Sequence, residues 1–193
     1  MSVVIINYNA GNVQSVKNAL NRLGVEPLLS DQPEIIKNAD RVIFPGVGEA
    51  STAMDFLKAR GLDQVIKELK QPTFGVCLGL QLMCRHSEEN DTDCLGIFDV
   101  EVKKFEPKLK VPQMGWNTLR DMNSPLFEGL DEEPYVYYVH SYYAELSEYT
   151  VAQTDYINPF SASLQKDNFY ALQAHPEKSG KVGEKILQNF LQL

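Results

Sequence analysis

The sequence has 193 residues, 44% hydrophobic and 23% charged, proportions ordinary for a soluble globular chain with enough apolar material for a sizeable core. A net charge of -8 without clustered Lys or Arg argues against a nucleic-acid partner, because phosphate neutralisation needs such clusters. The 3 cysteines, Cys77, Cys84 and Cys94, form no C-x-x-C pair and are odd in number, which argues against a disulfide framework or a zinc site; no apolar run reaches membrane-spanning length.

In chain order, Met1-Ser2 leads directly into a strand at 3–6 with no basic segment before it, so no signal peptide or anchor is expected and a reducing cytoplasm fits the cysteine usage. A helix at 13–23 stopped by Gly24 and a strand at 25–29 then set a βαβ rhythm. The rhythm continues with a helix at 34–38, a strand at 41–44, helices at 51–59 and 62–69, and an apolar strand after Pro72 that runs straight into helix. The expected fold class is α/β, three layers with a mostly parallel, doubly wound sheet and helices on both faces.

After about residue 95 the texture changes to closely spaced strands, at 95–105, 115–119, 135–143, 149–154, 160–164 and 169–174, which predict an antiparallel extension. A final helix at 181–191 carries Val182, Ile186, Leu187, Phe190 and Leu191 at amphipathic spacing, a core stripe. No repeat, low-complexity run or linker interrupts the chain, so residues 1–193 are expected to form one domain.

The strand-to-helix junction reads Gly75-Val76-Cys77-Leu78-Gly79, the pattern of a nucleophile elbow with cysteine at its centre. Flanking glycines permit a sharp turn that exposes the central side chain at a helix start. There the helix dipole favours a thiolate, and the N–H of Leu78 is a candidate oxyanion donor. A cysteine between Val and Leu is also an ordinary core residue. What favours chemistry is the strand ending in His175-Pro176-Glu177. Pro176 keeps this segment out of a helix interior, so His175 and Glu177 sit two apart in extended or turn backbone and tend to point the same way. A carboxylate on one imidazole nitrogen fixes the tautomer and leaves the other nitrogen for the thiol proton.

Pro45-Gly46-Val47-Gly48 follows the strand at 41–44, at the carboxyl end of a parallel strand, where open α/β folds bind ligands, so the amides of Val47 and Gly48 are candidates for the second oxyanion donor. Pro-Gly is equally a routine turn. In the aromatic strand around Tyr137 to Tyr143, His140 is more often a locally satisfied histidine than a reactive one. His86 reads as a surface or capping residue, and Cys84 as core.

With those residues in view, GVCLGLQLM at 75–83, PGVG at 45–48 and HPEKS at 175–179 make the chain resemble the class I (triad) glutamine amidotransferases. NYNAGN at 7–12, VPQMGWN at 111–117 and YVHSY at 138–142 are similar to one branch of them, the glutaminase subunits of imidazole glycerol phosphate synthase. The resemblance spans essentially the whole chain. It implies Cys77 as nucleophile, His175 as base and then acid, and Glu177 as orienter. It further implies that Gln81 and the His140, Ser141 and Tyr142 segment hold glutamine, with Val47, Gly48 and Leu78 around the oxyanion.

No cofactor or metal is expected, and the implied partner is a barrel-shaped cyclase in a heterodimer, which uses the ammonia to make imidazole glycerol phosphate and an aminoimidazole carboxamide ribotide in histidine biosynthesis. Ala174 and Glu49-Ala50 depart from the aromatic and bulky residues common in the family at those places, which leaves open a paralogous glutaminase feeding another synthase. A cysteine peptidase or thioesterase, or an inactive regulatory subunit, are the competing classes.

Overall fold

Val3–Ile6 (β1) and Arg41–Phe44 (β3) are short apolar runs buried along almost their whole length, as expected of strands covered on both faces. They come from a computed structural model that describes residues 1–8 and 11–193; Asn9 and Ala10 of the 7–12 motif lie outside the described residues. With Leu28–Ser30 (β2) and Thr73–Val76 (β4) they build the parallel side of the main sheet, in the order β2, β1, β3, β4. Pairing in β2 starts three residues later than the sequence predicts, after Pro27, which has no N–H for a ladder.

The helices are Val13–Arg22 (α1), Pro33–Lys37 (α2), Ala50–Ala59 (α3), Leu62–Glu68 (α4), Leu78–Met83 (α5) and Gly180–Gln192 (α6). Strand alternation divides the core between them. Val4, Ile6, Val42 and Phe44 face Ile36, Leu57, Ile66 and Leu82 in one apolar cluster. Val3, Ile5, Ile43 and Val76 face Leu20, Ile186, Leu187 and Phe190 in the other. This gives the three-layer α/β architecture expected from the βαβ rhythm.

Beyond the parallel strands come His86–Ser87 (β5), Thr92–Asp93 (β6), Glu101–Lys104 (β7), Gln113–Thr118 (β8), Tyr135–His140 (β9), Tyr142–Ala144 (β10), Thr150–Asp155 (β11), Pro159–Lys166 (β12) and Phe169–Leu172 (β13). β13 lies parallel to β4, and the sheet continues through β12, β10, β7, β5 and β6, with β11 on β12. The expected strand at 95–105 forms only at its end. Its first residues instead cap α5, Leu95 N–H donating to Leu82 O and Ile97 N–H to Met83 O, both at 2.9 Å.

The single strand expected at 135–143 divides at Ser141. β9 pairs with β8 in a separate two-stranded ribbon, whereas β10 joins the main sheet. That division puts residues 140–142 at the carboxyl ends of β4 and β13.

Candidate active site

The register of β4 and β13, with Val76 opposite Leu172, decides what can meet. One step past that pair, the Cys77 N–H donates to Leu172 O at 2.8 Å, so a cysteine and the 173–177 segment emerge side by side from adjacent strands. Cys77 has φ 53 and ψ -105, a left-handed conformation rarely held by a residue with a side chain and worth about 1–3 kcal/mol of strain. The positive φ of the elbow thus falls on the cysteine itself. Its glycines serve close packing: a Cβ on Gly79 would lie 1.9 Å from Phe44 O, and one on Gly75 would lie 3.0 Å from the Gly79 backbone.

His175 is extended (φ -97, ψ 96) and Pro176–Lys178 form a short turn of 3-10 helix, Pro176 occupying its first position. His175 Nδ1 lies 2.8 Å from Glu177 Oε1, both side chains almost wholly shielded from solvent. Asn12, at φ 69, donates its side-chain amide to the same Glu177 oxygen. The base segment is fixed from behind: His175 N–H donates to Tyr137 O at 2.9 Å, and Ser179 Oγ donates to His175 O at 2.6 Å. Burial of the His175 ring opposes its protonation, but interactions with Cys77 and Glu177 outweigh that and raise it to about 10. Among the described residues His175 Nε2 has no partner in hydrogen-bond geometry.

Cys77 is 5% exposed, yet it opens on a cavity of about 280 Å³ shared with Val47, Gly48, Leu78, Gln81, Val139, His140, Ser141 and Tyr142. Every residue named from the sequence as a glutamine or oxyanion contact lines it. The volume sits at the small end of ligand pockets, which start at about 300 Å³. A wider depression of about 1230 Å³, bordered by Asp121, Glu128 and Glu132, contains none of these groups.

Two features differ from the sequence expectation. Leu78 N–H, the expected oxyanion donor, is bonded to Gly46 O at 3.2 Å, so the PGVG loop turns a carbonyl toward the position where an oxyanion would sit. Gln81 spends its amide nitrogen inside the protein, on Tyr142 O at 3.0 Å and Gln173 Oε1 at 3.1 Å, leaving its oxygen for a ligand.

His140 is buried among Phe105, Tyr138 and Phe160. Burial lowers it to about 4, with the Tyr142 carbonyl pulling the other way, so the ring is neutral at physiological pH. Nδ1–H then donates to Tyr142 O at 2.7 Å, and Nε2 lies 2.9 Å from Gln113 Oε1, a pairing that the neutral ring makes only with the Gln113 amide turned so that its NH₂ faces Nε2. His140 thus positions the Tyr142 carbonyl, the satisfied role expected for it. His86 lies half-buried in β5 between Glu101 and Asp91, and Cys84 is core.

Four residues of the site were not singled out from the sequence. Asn12 and Gln113 lay inside quoted motifs. Gln173, fully buried in an otherwise apolar strand end, was a visible anomaly. Glu89, the one acidic residue lining the cavity, sits in the β5–β6 connection and had no signal. Burial raises its carboxyl from the ordinary value, while the Ala50 N–H donating to it acts in the opposite direction.

The sequence matches the family Glutamine amidotransferase class-I over residues 4–193. It is 62% identical to a Bacteroides thetaiotaomicron protein named imidazole glycerol phosphate synthase subunit HisH, and 45% identical to the Escherichia coli strain K12 protein of the same name, each alignment covering 100% of both chains. A crystal structure of a glutamine amidotransferase shares the fold, with a TM-score of 0.78 at 20% identity, covering 99% of this chain and 98% of that one. An elbow cysteine beside a buried His-Glu pair, on a sheet and sequence of this kind, makes the chain a member of the class I glutamine amidotransferase family.

Proposed function

We propose that the chain is the glutaminase subunit of an imidazole glycerol phosphate synthase, hydrolysing glutamine to glutamate and ammonia at Cys77 and passing the ammonia to a bound cyclase in histidine biosynthesis. The observation that carries this reading is a cysteine opening on a small cavity, Cys77, interacting with a buried His175–Glu177 pair, in a chain 62% identical over its full length to a protein of that name. The working unit is the whole chain, 1–193, in a heterodimer with a barrel-shaped cyclase in the cytoplasm. Among the described residues no helix is long and apolar enough to cross a membrane.

Glutamine enters the cavity with its α-ammonium toward Glu89 and the Gln81 oxygen, and its main-chain carboxylate toward the 140–142 segment. His175 carries a proton at neutral pH, so it begins the cycle as an acid, and its charge, with the start of α5, supplies the positive potential that thiolate attack requires. The Cys77 sulfur forms a bond to the side-chain amide carbon, the C–N bond breaks, and His175 gives its proton to the departing nitrogen. Neutral His175 then takes a proton from water, which attacks the thioester; the sulfur leaves, and glutamate with it. Glu177, steadied by Asn12, accepts from Nδ1–H in both charge states of the ring, so that Nε2 is the nitrogen that gives and takes the proton.

Both tetrahedral intermediates need donors for their oxygen, and Leu78 N–H is free to supply one only when it exchanges Gly46 O for the substrate. Rotation of the Gly46–Val47 peptide accomplishes that exchange and turns the Val47 N–H inward as the second donor. Ammonia released in water is protonated and lost, so its consumer must be bound while it forms. The exposed side chains of Met114, Trp116 and Tyr135 lie along the β8–β9 ribbon, Met114 directly opposite Val139, which borders the cavity, and Tyr135 at the far end. Such a patch marks a docking face, and here it leads from the partner to the reaction.

Cys77→Ala tests the reading. Glutamine-dependent turnover should vanish while the complex still works with ammonium salts; retained glutaminase activity refutes the assignment.

A further inference from the structure

We propose that Gln173 is a further catalytic residue, whose side-chain amide donates a hydrogen bond to the Cys77 sulfur in an orientation dictated by a relay of amides that starts at the Tyr142 carbonyl. The inference rests on the reading of Cys77 as the nucleophile. A backbone carbonyl only accepts, so the Gln81 group 3.0 Å from Tyr142 O is its NH₂. That nitrogen also lies 3.1 Å from the Gln173 side chain, and because it carries only donors it must face an acceptor there, Oε1. Gln173 then has one end left. Its NH₂ lies 3.6 Å from Cys77 Sγ.

Reversing either amide would set donor against donor, or acceptor against acceptor, between side chains that are almost wholly buried: Gln173 is 0% exposed, Gln81 5% and Cys77 5%. The anchor of the relay is itself held, since His140 Nδ1–H donates to the same carbonyl at 2.7 Å. The sulfur has a second neighbour, Val139 O at 3.9 Å, which can only accept and so favours the protonated thiol. Gln173 and Val139 therefore pull the sulfur in opposite directions, and the amide is the partner that suits the sulfur when it bears charge.

Charge sits on that sulfur twice in each cycle, before it attacks the amide carbon and again as it leaves the tetrahedral intermediate formed by water on the thioester. In both steps Gln173 transfers no proton; it offers an N–H to electron density that the forming or breaking C–S bond takes away or returns. The contact adds to His175, which handles the proton on the other flank. Because Gln81 also lines the substrate cavity, a ligand held by the Gln81 oxygen polarises the same relay that ends at the nucleophile.

The test replaces Gln173 with Leu and with Met, which keep the bulk and remove the donor. Alkylation of Cys77 by iodoacetamide, followed by peptide mass spectrometry, should slow about tenfold at neutral pH. Glutaminase kcat in the synthase complex should fall about tenfold with KM changed less than about twofold, the loss expected for one charge-assisted hydrogen bond. Folded variants alkylated at the wild-type rate overturn the proposal. If neither variant folds, the wild-type protein decides it: the side-chain amide resonance of Gln173 should move on alkylation of Cys77, and an unmoved resonance overturns the contact. Should glutamine fail to protect wild-type Cys77 from alkylation, the glutaminase reading itself is wrong, and the Gln173 resonance still judges the amide contact separately.

Discussion

The Leu78 N–H is directed at the Gly46 carbonyl across 3.2 Å, which joins the helix behind the nucleophile to the loop that must receive an oxyanion. In this arrangement one donor is occupied, and losing one donor costs roughly 10²- to 10³-fold in rate. The isolated chain should therefore release ammonia from glutamine at least about 10² times more slowly than the assembled synthase. Ammonia-release assays with and without the cyclase check this, and equal rates would contradict the masking.

Within the His175 and Glu177 pair the roles predict unequal losses. His175→Ala removes the group that moves the proton and should cost about 10³- to 10⁴-fold in kcat, whereas Glu177→Gln leaves a base in place and should cost about 10²-fold. Steady-state kinetics with glutamine decide it; equal or reversed losses would contradict the assignment.

His140 makes stability depend on acid. Its value in the fold, about 4, lies below the unfolded reference of about 6.5, so folding excludes a proton that the unfolded chain binds. The sign follows: the stabilisation is whole above about pH 6.5 and is lost as pH falls through about 4. Between about pH 7 and pH 4.5 the term removes roughly 2–3 kcal/mol. Urea unfolding of wild type and His140→Gln at the two pH values should show that much less pH dependence in the variant.

Gly79→Ala should destabilise the whole domain rather than the chemistry alone, because its Cβ would lie 1.9 Å from the Phe44 carbonyl, backbone with no side chain to swing aside. Overpacking of this kind costs about 1–3 kcal/mol or more. A lowered urea midpoint measures it, and a midpoint unchanged from wild type would show that the elbow has slack.

Trp116 is 55% exposed and packs edge-on against Tyr137, with ring centroids 5.8 Å apart, the type of aromatic anchor that dominates interfaces. Trp116→Ala should weaken the complex about tenfold or more while leaving Cys77 alkylation in the free chain unchanged. Titration calorimetry against the cyclase gives the first value and mass spectrometry the second.

Much of the fold was legible because its signals are local. Buried apolar runs marked β1, β3 and β4, amphipathic spacing marked α6, and glycines around a cysteine marked the elbow. What escaped depends on contacts made across the chain. The carbonyls at the end of α5 claim residues 95–98, so no strand forms there, and Ser141 divides what reads as one continuous aromatic strand. Site residues divide the same way. Cys77, His175 and Glu177 have patterns of their own, whereas Glu89 matters only because the β5–β6 connection folds over the cavity. Leu78 could be named as a donor from its position after the nucleophile, but the carbonyl occupying it belongs to another strand's loop.

The placing of β13 between β4 and β12 also governs when this protein can first act. Thr73–Val76 leave the ribosome long before Phe169–Leu172, and the imidazole follows later still. A nascent chain thus holds its thiol without a proton shuttle until the segment carrying His175 has been translated, about a hundred residues after Cys77. Insertion of one late segment into the middle of the sheet therefore completes the architecture and brings the imidazole to the thiol in a single step.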